Sequence, residues 1–403
     1  MSTPSTDTRG RTLADIVHAV NEVAATARAE AVARERDRTS PAPLVAALAA
    51  ARLGAVRVPQ EFGGPGGTVA DLADLLIEVA AADSNLAQIV RGHLGFVEFL
   101  IAQPAGEART DLLQAAARGD LFGPAASISA RNADGSAATA LLDSSTWLHE
   151  VDGTTRLSGR KYYTTGSLHS QWINALVAVD DVLAEVVVRV DDPGVEIDDD
   201  WNGFGQPLTA SGTTRFDAAL VREGHVFPHD DQGLSEYLNA FYQFVHSATQ
   251  AGIVRRAGED LVEVVRSRKR TYPLATAPEP RHDPQVLEVV GEVTSHAYAT
   301  RASVESLART FDRYLDVPSR GSRTRVVEES AAVQVHNTRS AGEATWRLFD
   351  AASASAVDAE LALDRHFRNA RTVSSHNPVV YKARLVGDIE VNGHVPSTSI
   401  AAG

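Results

Sequence analysis

Beyond about residue 232 the sequence keeps a helical period with hardly a break, and this limits the fold more than any other feature. Leu238, Phe241, Tyr242, Val245, Thr249 and Gly252 recur at helical spacing and open a helix that runs toward Lys269. A break containing Pro273, Pro278, Pro280 and Pro284 follows, and two more long patterns cover 285–315 and 323–352. A helix of thirty residues is about 45 Å long, a length that suits an antiparallel bundle.

Two segments of different character precede this region. Residues 12 to about 120 also read as helices. Thr68 followed by Asp71 has the hydroxyl cap and acidic third position of a helix start, and Leu72, Leu75, Leu76 and Val79 then form one apolar stripe. A further helix starts near Ser84, with Leu86, Ile89, Val90, His93 and Val97 on one face. The glycine cluster 63–67 lacks the G-x-G-x-x-G spacing and any strand before it, so it reads as a loop. From about 121 to 228 the period shortens. Asp152-Gly153 signals a tight hairpin, and 175–179 and 184–190 are β-branched runs bounded by acidic turns. The expected α+β chain therefore has an N-terminal helical domain (1–120), a central β domain (121–230) and a C-terminal four-helix bundle (231–403).

Composition excludes several classes of function. The 403 residues carry a formal net charge of −14, which argues against nucleic acid or an anionic membrane surface as partner. No cysteine is present, so disulfides, thiol catalysis and cysteine metal sites are ruled out. The polar start 1–11 and the lack of a long uncharged apolar run predict a soluble, cytoplasmic protein.

Five motifs then occur in order. They are Arg57-Val58-Pro59-Gln60-Glu61-Phe62-Gly63-Gly64; Leu157 to Gly166, with Lys161, Thr164 and Thr165; and Trp201 to Gln206, leading to Thr209–Phe216. Arg368-Asn369-Ala370-Arg371 and His376-Asn377-Pro378-Val379-Val380-Tyr381-Lys382 complete the set. Together they resemble the acyl-CoA dehydrogenase superfamily, in particular its flavin-dependent monooxygenase branch typified by dibenzothiophene monooxygenase and the sulfur-acquisition oxidoreductases. The same helical, β, helical order is that family's fold. Three segments depart from the dehydrogenases: Phe122–Ser127 replaces their Thr-Glu-Pro loop, Asp350–Ser353 replaces the Gly-Gly turn that helps hold FAD, and Ser375–Pro378 replaces their C-terminal Tyr-Glu-Gly-Thr. Reduced FMN is therefore favoured as cofactor, with FAD left open.

The resemblance implies roles for particular residues. His376 would hydrogen-bond the activated oxygen and assist proton movement; otherwise it is a helix-end histidine. His93 would line the flavin pocket or be a satisfied core histidine. Thr164, Thr165 and Ser167 would donate to flavin or oxygen, with Thr165 also counted as catalytic, and Ser127 and Arg371 would add flavin contacts. Trp201 would edge the isoalloxazine, and Arg270 would reach a cofactor phosphate across a subunit boundary. Glu360, counted back from Arg365, stands where many dehydrogenases keep their base. His225, His229, Asp230 and Asp231 read as a solvated linker in preference to a metal site.

The resulting expectation is a two-component monooxygenase. A separate reductase would supply reduced FMN, and a C4a-hydroperoxyflavin would oxygenate a small sulfur- or nitrogen-containing substrate in a homotetramer. The rival expectations are an FAD-dependent dehydrogenase using Glu360 and a catalytically inert scaffold of the same fold.

Overall fold

The computed structural model describes residues 11–127, 145–179, 182–229 and 232–393. Five helices come first: α1 (Leu13–Asp37), α2 (Ala42–Ala50), α3 (Val69–Ala82), α4 (Ser84–Ala102) and α5 (Glu107–Arg118). The capping box read from sequence closes α3: Thr68 Oγ1 accepts from the Asp71 backbone N–H while the Asp71 carboxylate accepts from that of Thr68. α4 is buried almost all round, from Ser84 to Leu100. Its close packing depends on glycine at two positions. A Cβ at Gly92 would lie 2.3 Å from Pro124, and one at Gly95 would lie 2.0 Å from the Tyr242 ring.

Eight strands follow: β1 (Phe122–Ala125), β2 (Thr146–Val151), β3 (Thr154–Tyr162), β4 (Trp172–Val179), β5 (Val182–Arg189), β6 (Val195–Asp198), β7 (Thr213–Leu220) and β8 (Val226–Pro228). Among the described residues they form two four-stranded sheets, ordered β1-β4-β5-β8 and β2-β3-β7-β6, in which only the β1–β4 pairing is parallel. Asp152 and Gly153, both at positive φ, turn the β2–β3 hairpin. Ile173, Ala175, Val186 and Val188 from one sheet meet Leu157, Phe216 and Ala219 from the other in an apolar core.

The C-terminal region is α6 (Gln232–Ser267), α7 (Pro284–Asp316), α8 (Arg320–Ala352), α9 (Asp364–Ser375) and α10 (Val379–Asn392). α6, α7 and α8 pack on one another, α9 bridges α6 and α8, and α10 lies on α8. One apolar core runs from α1 through α4 and α5 into α6, α7 and α8, joining the helical regions at both ends of the chain. No helix among the described residues is long and apolar enough to cross a membrane.

Candidate active site

The loop 201–211 is held on both sides of the helical body. The Gln206 backbone N–H donates to Asn369 Oδ1 of α9 (2.6 Å), its side-chain Nε2 donates to Ser84 Oγ (2.8 Å), and the Leu208 N–H donates to Asn85 Oδ1 at the start of α4. Gly205 fits because a Cβ there would strike the Arg368 carbonyl oxygen at 2.1 Å. Beside this loop the chain turns sharply at 163–166. Tyr163, Gly166, Gln206 and Ala210 all have positive φ, a cluster of costly backbone that tertiary contacts must hold in place. The turn rests on α4, where a Cβ at Gly166 would lie 2.5 Å from the Ile89 carbonyl oxygen.

A hydroxyl chain links the two loops. Thr165 Oγ1 and Ser211 Oγ are 2.8 Å apart, as are Ser211 Oγ and Thr209 Oγ1, and Thr209 Oγ1 donates to the Gln206 carbonyl. Trp201 Nε1 donates to that same carbonyl, and its ring meets Tyr163 edge-on at 6.0 Å.

The opposite face of α4 carries a different group. The Arg91 Nε–H donates to the Tyr242 carbonyl at 3.2 Å, and the guanidinium lies 4.7 Å above the Tyr242 ring. Arg91 Nη1 is 3.4 Å from His376 Nε2, and the His376 ring is 4.7 Å from that of His246. His376 is exposed, with Arg91 and His246 packed against one side of its ring. Desolvation and the neighbouring guanidinium push its pKa down to about 3. The imidazole is therefore neutral at neutral pH. Because arginine only donates, Nε2 is the accepting nitrogen and Nδ1 carries the proton.

The remaining expected site residues are placed as follows. His93 is the core alternative: its Nε2 faces the Gly54 carbonyl (3.1 Å), its Nδ1 accepts from the Phe122 N–H (3.2 Å), and its ring stacks on Phe122. Burial lowers its pKa to about 4, and with both nitrogens occupied it has nothing to offer a pocket. Thr164 is fully buried, donating to the Gly212 carbonyl and accepting from Thr214; Ser167 is equally buried and donates to the Pro124 carbonyl. Both shape the turn instead of facing a ligand. Thr165 and Trp201 lie at its edge, and Ser127 is half-buried just after β1. Arg371 is exposed, with Nη1 3.4 Å from Ser374 Oγ.

Two residues fall outside this convergence. Arg270 is exposed beyond the end of α6, whose axis runs about 32 Å from His246 to Ser267. Glu360 is a surface residue, its side chain 74% exposed and paired with Arg36 of α1. α9 starts only at Asp364, so the turn before it carries Glu360 outward, which corrects its placement as a base. His229 contacts Glu185 at 3.2 Å, while Asp230 and Asp231 lie outside the described residues. Arg91, His246, Tyr242 and Ser211 were not anticipated. The usable signal was Arg91 itself, the sole charge in the apolar stretch 84–97.

Known proteins resemble this chain over most of its length. The family described as acyl-CoA dehydrogenase, N-terminal domain, matches residues 12–120, and acyl-CoA dehydrogenase, C-terminal domain, matches 244–381. The dibenzothiophene monooxygenase of Mycolicibacterium goodii is 25% identical over 87% of each chain. A probable FMNH2-dependent monooxygenase, SfnC, of Pseudomonas putida is 27% identical over 85% of this chain and 86% of its own. The FMN-bound crystal structure of TdsC from Paenibacillus sp. A11-2 superposes with a TM-score of 0.86 at 24% identity, covering 96% of this chain and 99% of that one. The chain belongs to the acyl-CoA dehydrogenase family, on the branch of its flavin-dependent monooxygenases.

Proposed function

We propose that this protein is a flavin-dependent monooxygenase that takes reduced FMN from a separate reductase and uses O2 to oxygenate a small sulfur- or nitrogen-containing substrate. The observation that carries the reading is the exchange of roles between two residues. The carboxylate where a dehydrogenase would keep its base, Glu360, points into solvent, while the His376 imidazole stands between Arg91 and His246. Removal of an α-proton needs a base beside the substrate; oxygenation does not.

The residues present fit a flavin. Thr372 Oγ1 and Asn377 Nδ2, on α9 and just after it, are buried polar atoms without partners, as expected where a polar ligand belongs. Thr165 and Trp201 would meet the ring system, with Ser127 and Arg371 adding polar contacts, and Thr164 and Ser167 holding the turn from behind. Arg270, too far along α6 for its own site, would serve a neighbour's FMN phosphate in a homotetramer. When bound, reduced FMN would supply the two electrons that, with two protons, let O2 give one oxygen atom to the substrate and the other to water. The protein's own contributions are then to exclude water and to present the His376 Nδ1–H as a donor while Arg91 holds Nε2.

The test mixes protein loaded with reduced FMN rapidly with O2 and sulfide or amine probes, following O2 uptake, product and hydrogen peroxide. Oxygenated product matching O2 uptake is expected. Anaerobic reduction of bound FAD by an acyl-CoA would support the dehydrogenase instead, and failure to bind any flavin would support the scaffold.

A further inference from the structure

Among the described residues three arginines keep a tenth or less of their surface exposed: Arg34, Arg91 and Arg365. Arg34 is paired with Asp83 at 2.9 Å and Arg365 with Asp260 at 2.5 Å. Arg91, at 9% exposure, has no carboxylate partner among the described residues. Its contacts are a backbone carbonyl, a tyrosine face and a neutral imidazole, and its Nη2 has no partner among the described residues. An isolated guanidinium kept out of water is costly, and desolvation without a counter-ion lowers its pKa to about 10. A fold tolerates such a charge where an anion completes it. One further donor stands beside it, the Nδ1–H of the exposed His376, against whose ring His246 packs at 4.7 Å.

We propose that Arg91 is the recognition group for an anionic substrate, a carboxylate or sulfinate monoanion of a small organic molecule seated against His376. Arginine presents two parallel N–H donors to the two oxygens of such a head group, a geometry suited to either anion. The apolar body of the substrate then lies away from the guanidinium. A neutral thioether or amine of the same size would leave Arg91 uncompensated and bind more weakly. This rests on the monooxygenase reading only for the use made of the site; binding of the anion does not depend on flavin.

The test is calorimetric titration of the flavin-free full chain with benzoate and benzenesulfinate, against benzamide and methyl phenyl sulfone as neutral analogues. At least tenfold tighter binding of the anions is expected. R91M should abolish that preference while leaving the neutral analogues bound as before, and R91K should restore part of it. Equal affinity of anions and neutral analogues in the unmodified protein overturns the proposal without any variant, so misfolding of R91M would not shelter it. R91M that keeps the anion preference but weakens reduced FMN binding also overturns it, by assigning the guanidinium to the flavin. If the anions bind as expected yet no flavin binds, the monooxygenase reading fails and this one stands.

Discussion

Asp260 fixes α9, and with it His376, to α6. Its carboxylate accepts from Arg256 Nε (2.7 Å), Arg365 Nη2 (2.5 Å) and His366 Nε2 (2.8 Å). Burial alone would raise its pKa, but the His366 donor and the two guanidiniums outweigh that and hold it well below the usual carboxylate range. Asp260→Asn keeps the shape and removes the charge, leaving two arginines and one imidazole facing a neutral amide. Removing one partner of a buried ion pair costs about 3–5 kcal/mol. The Asp260 side chain is 17% exposed, so water relieves part of this and the lower end, about 3 kcal/mol, applies. Urea unfolding followed by circular dichroism, at one fixed protein concentration, measures the loss. The sign with pH is set by the depressed pKa. The stabilisation is fully present above the unfolded carboxylate value of about 3.9 and disappears as pH falls toward the folded one, so the gap between variant and parent should narrow below about pH 4. A loss under about 1 kcal/mol at pH 7 would refute the idea that this carboxylate anchors α9.

Other outcomes follow from the same contacts. Gly95→Ala places a methyl group inside the Tyr242 ring and should cost about 1–3 kcal/mol, read as a lowered midpoint in the same titration. His93 and His366 are buried neutral with pKa values near 4, so the unfolded chain takes up their protons first; stability should fall as pH drops from about 6.5 toward 4, and His93→Gln should flatten part of that slope. Tyr298, Trp346, Val380, Tyr381 and Val391 are exposed on α7, α8 and α10, apolar side chains that a homotetramer would cover. Light scattering at micromolar concentration should give four chains, and a monomer would also remove Arg270 as a ligand to a neighbour's flavin.

Local rules carried the architecture. The hydroxyl and carboxylate of Thr68 and Asp71, the positive φ of Asp152-Gly153 and the long periods of α6, α7 and α8 are all decided by residues near in sequence. The site was less legible because α4 is buried on every side. An apolar stripe shows which residues are inside but not what each face meets, so His93, turned to Phe122 and Gly54, looked like a pocket residue while Arg91, turned to His376, passed unremarked. Glu360 was misplaced for a related reason. Counting back from Arg365 assumes continuous helix, and the chain there is a turn.

The account stands most directly on two substitutions compared in one coupled assay of O2 uptake, product and hydrogen peroxide. His376→Ala should leave folding and reduced-FMN binding nearly intact, lower product formation by about 10²–10³, and divert O2 to hydrogen peroxide. Glu360→Gln, changing an exposed side chain bound to Arg36, should leave product formation and coupling at the parent level. An inactive Glu360→Gln beside a fully coupled His376→Ala would contradict the account and return the protein to dehydrogenase chemistry.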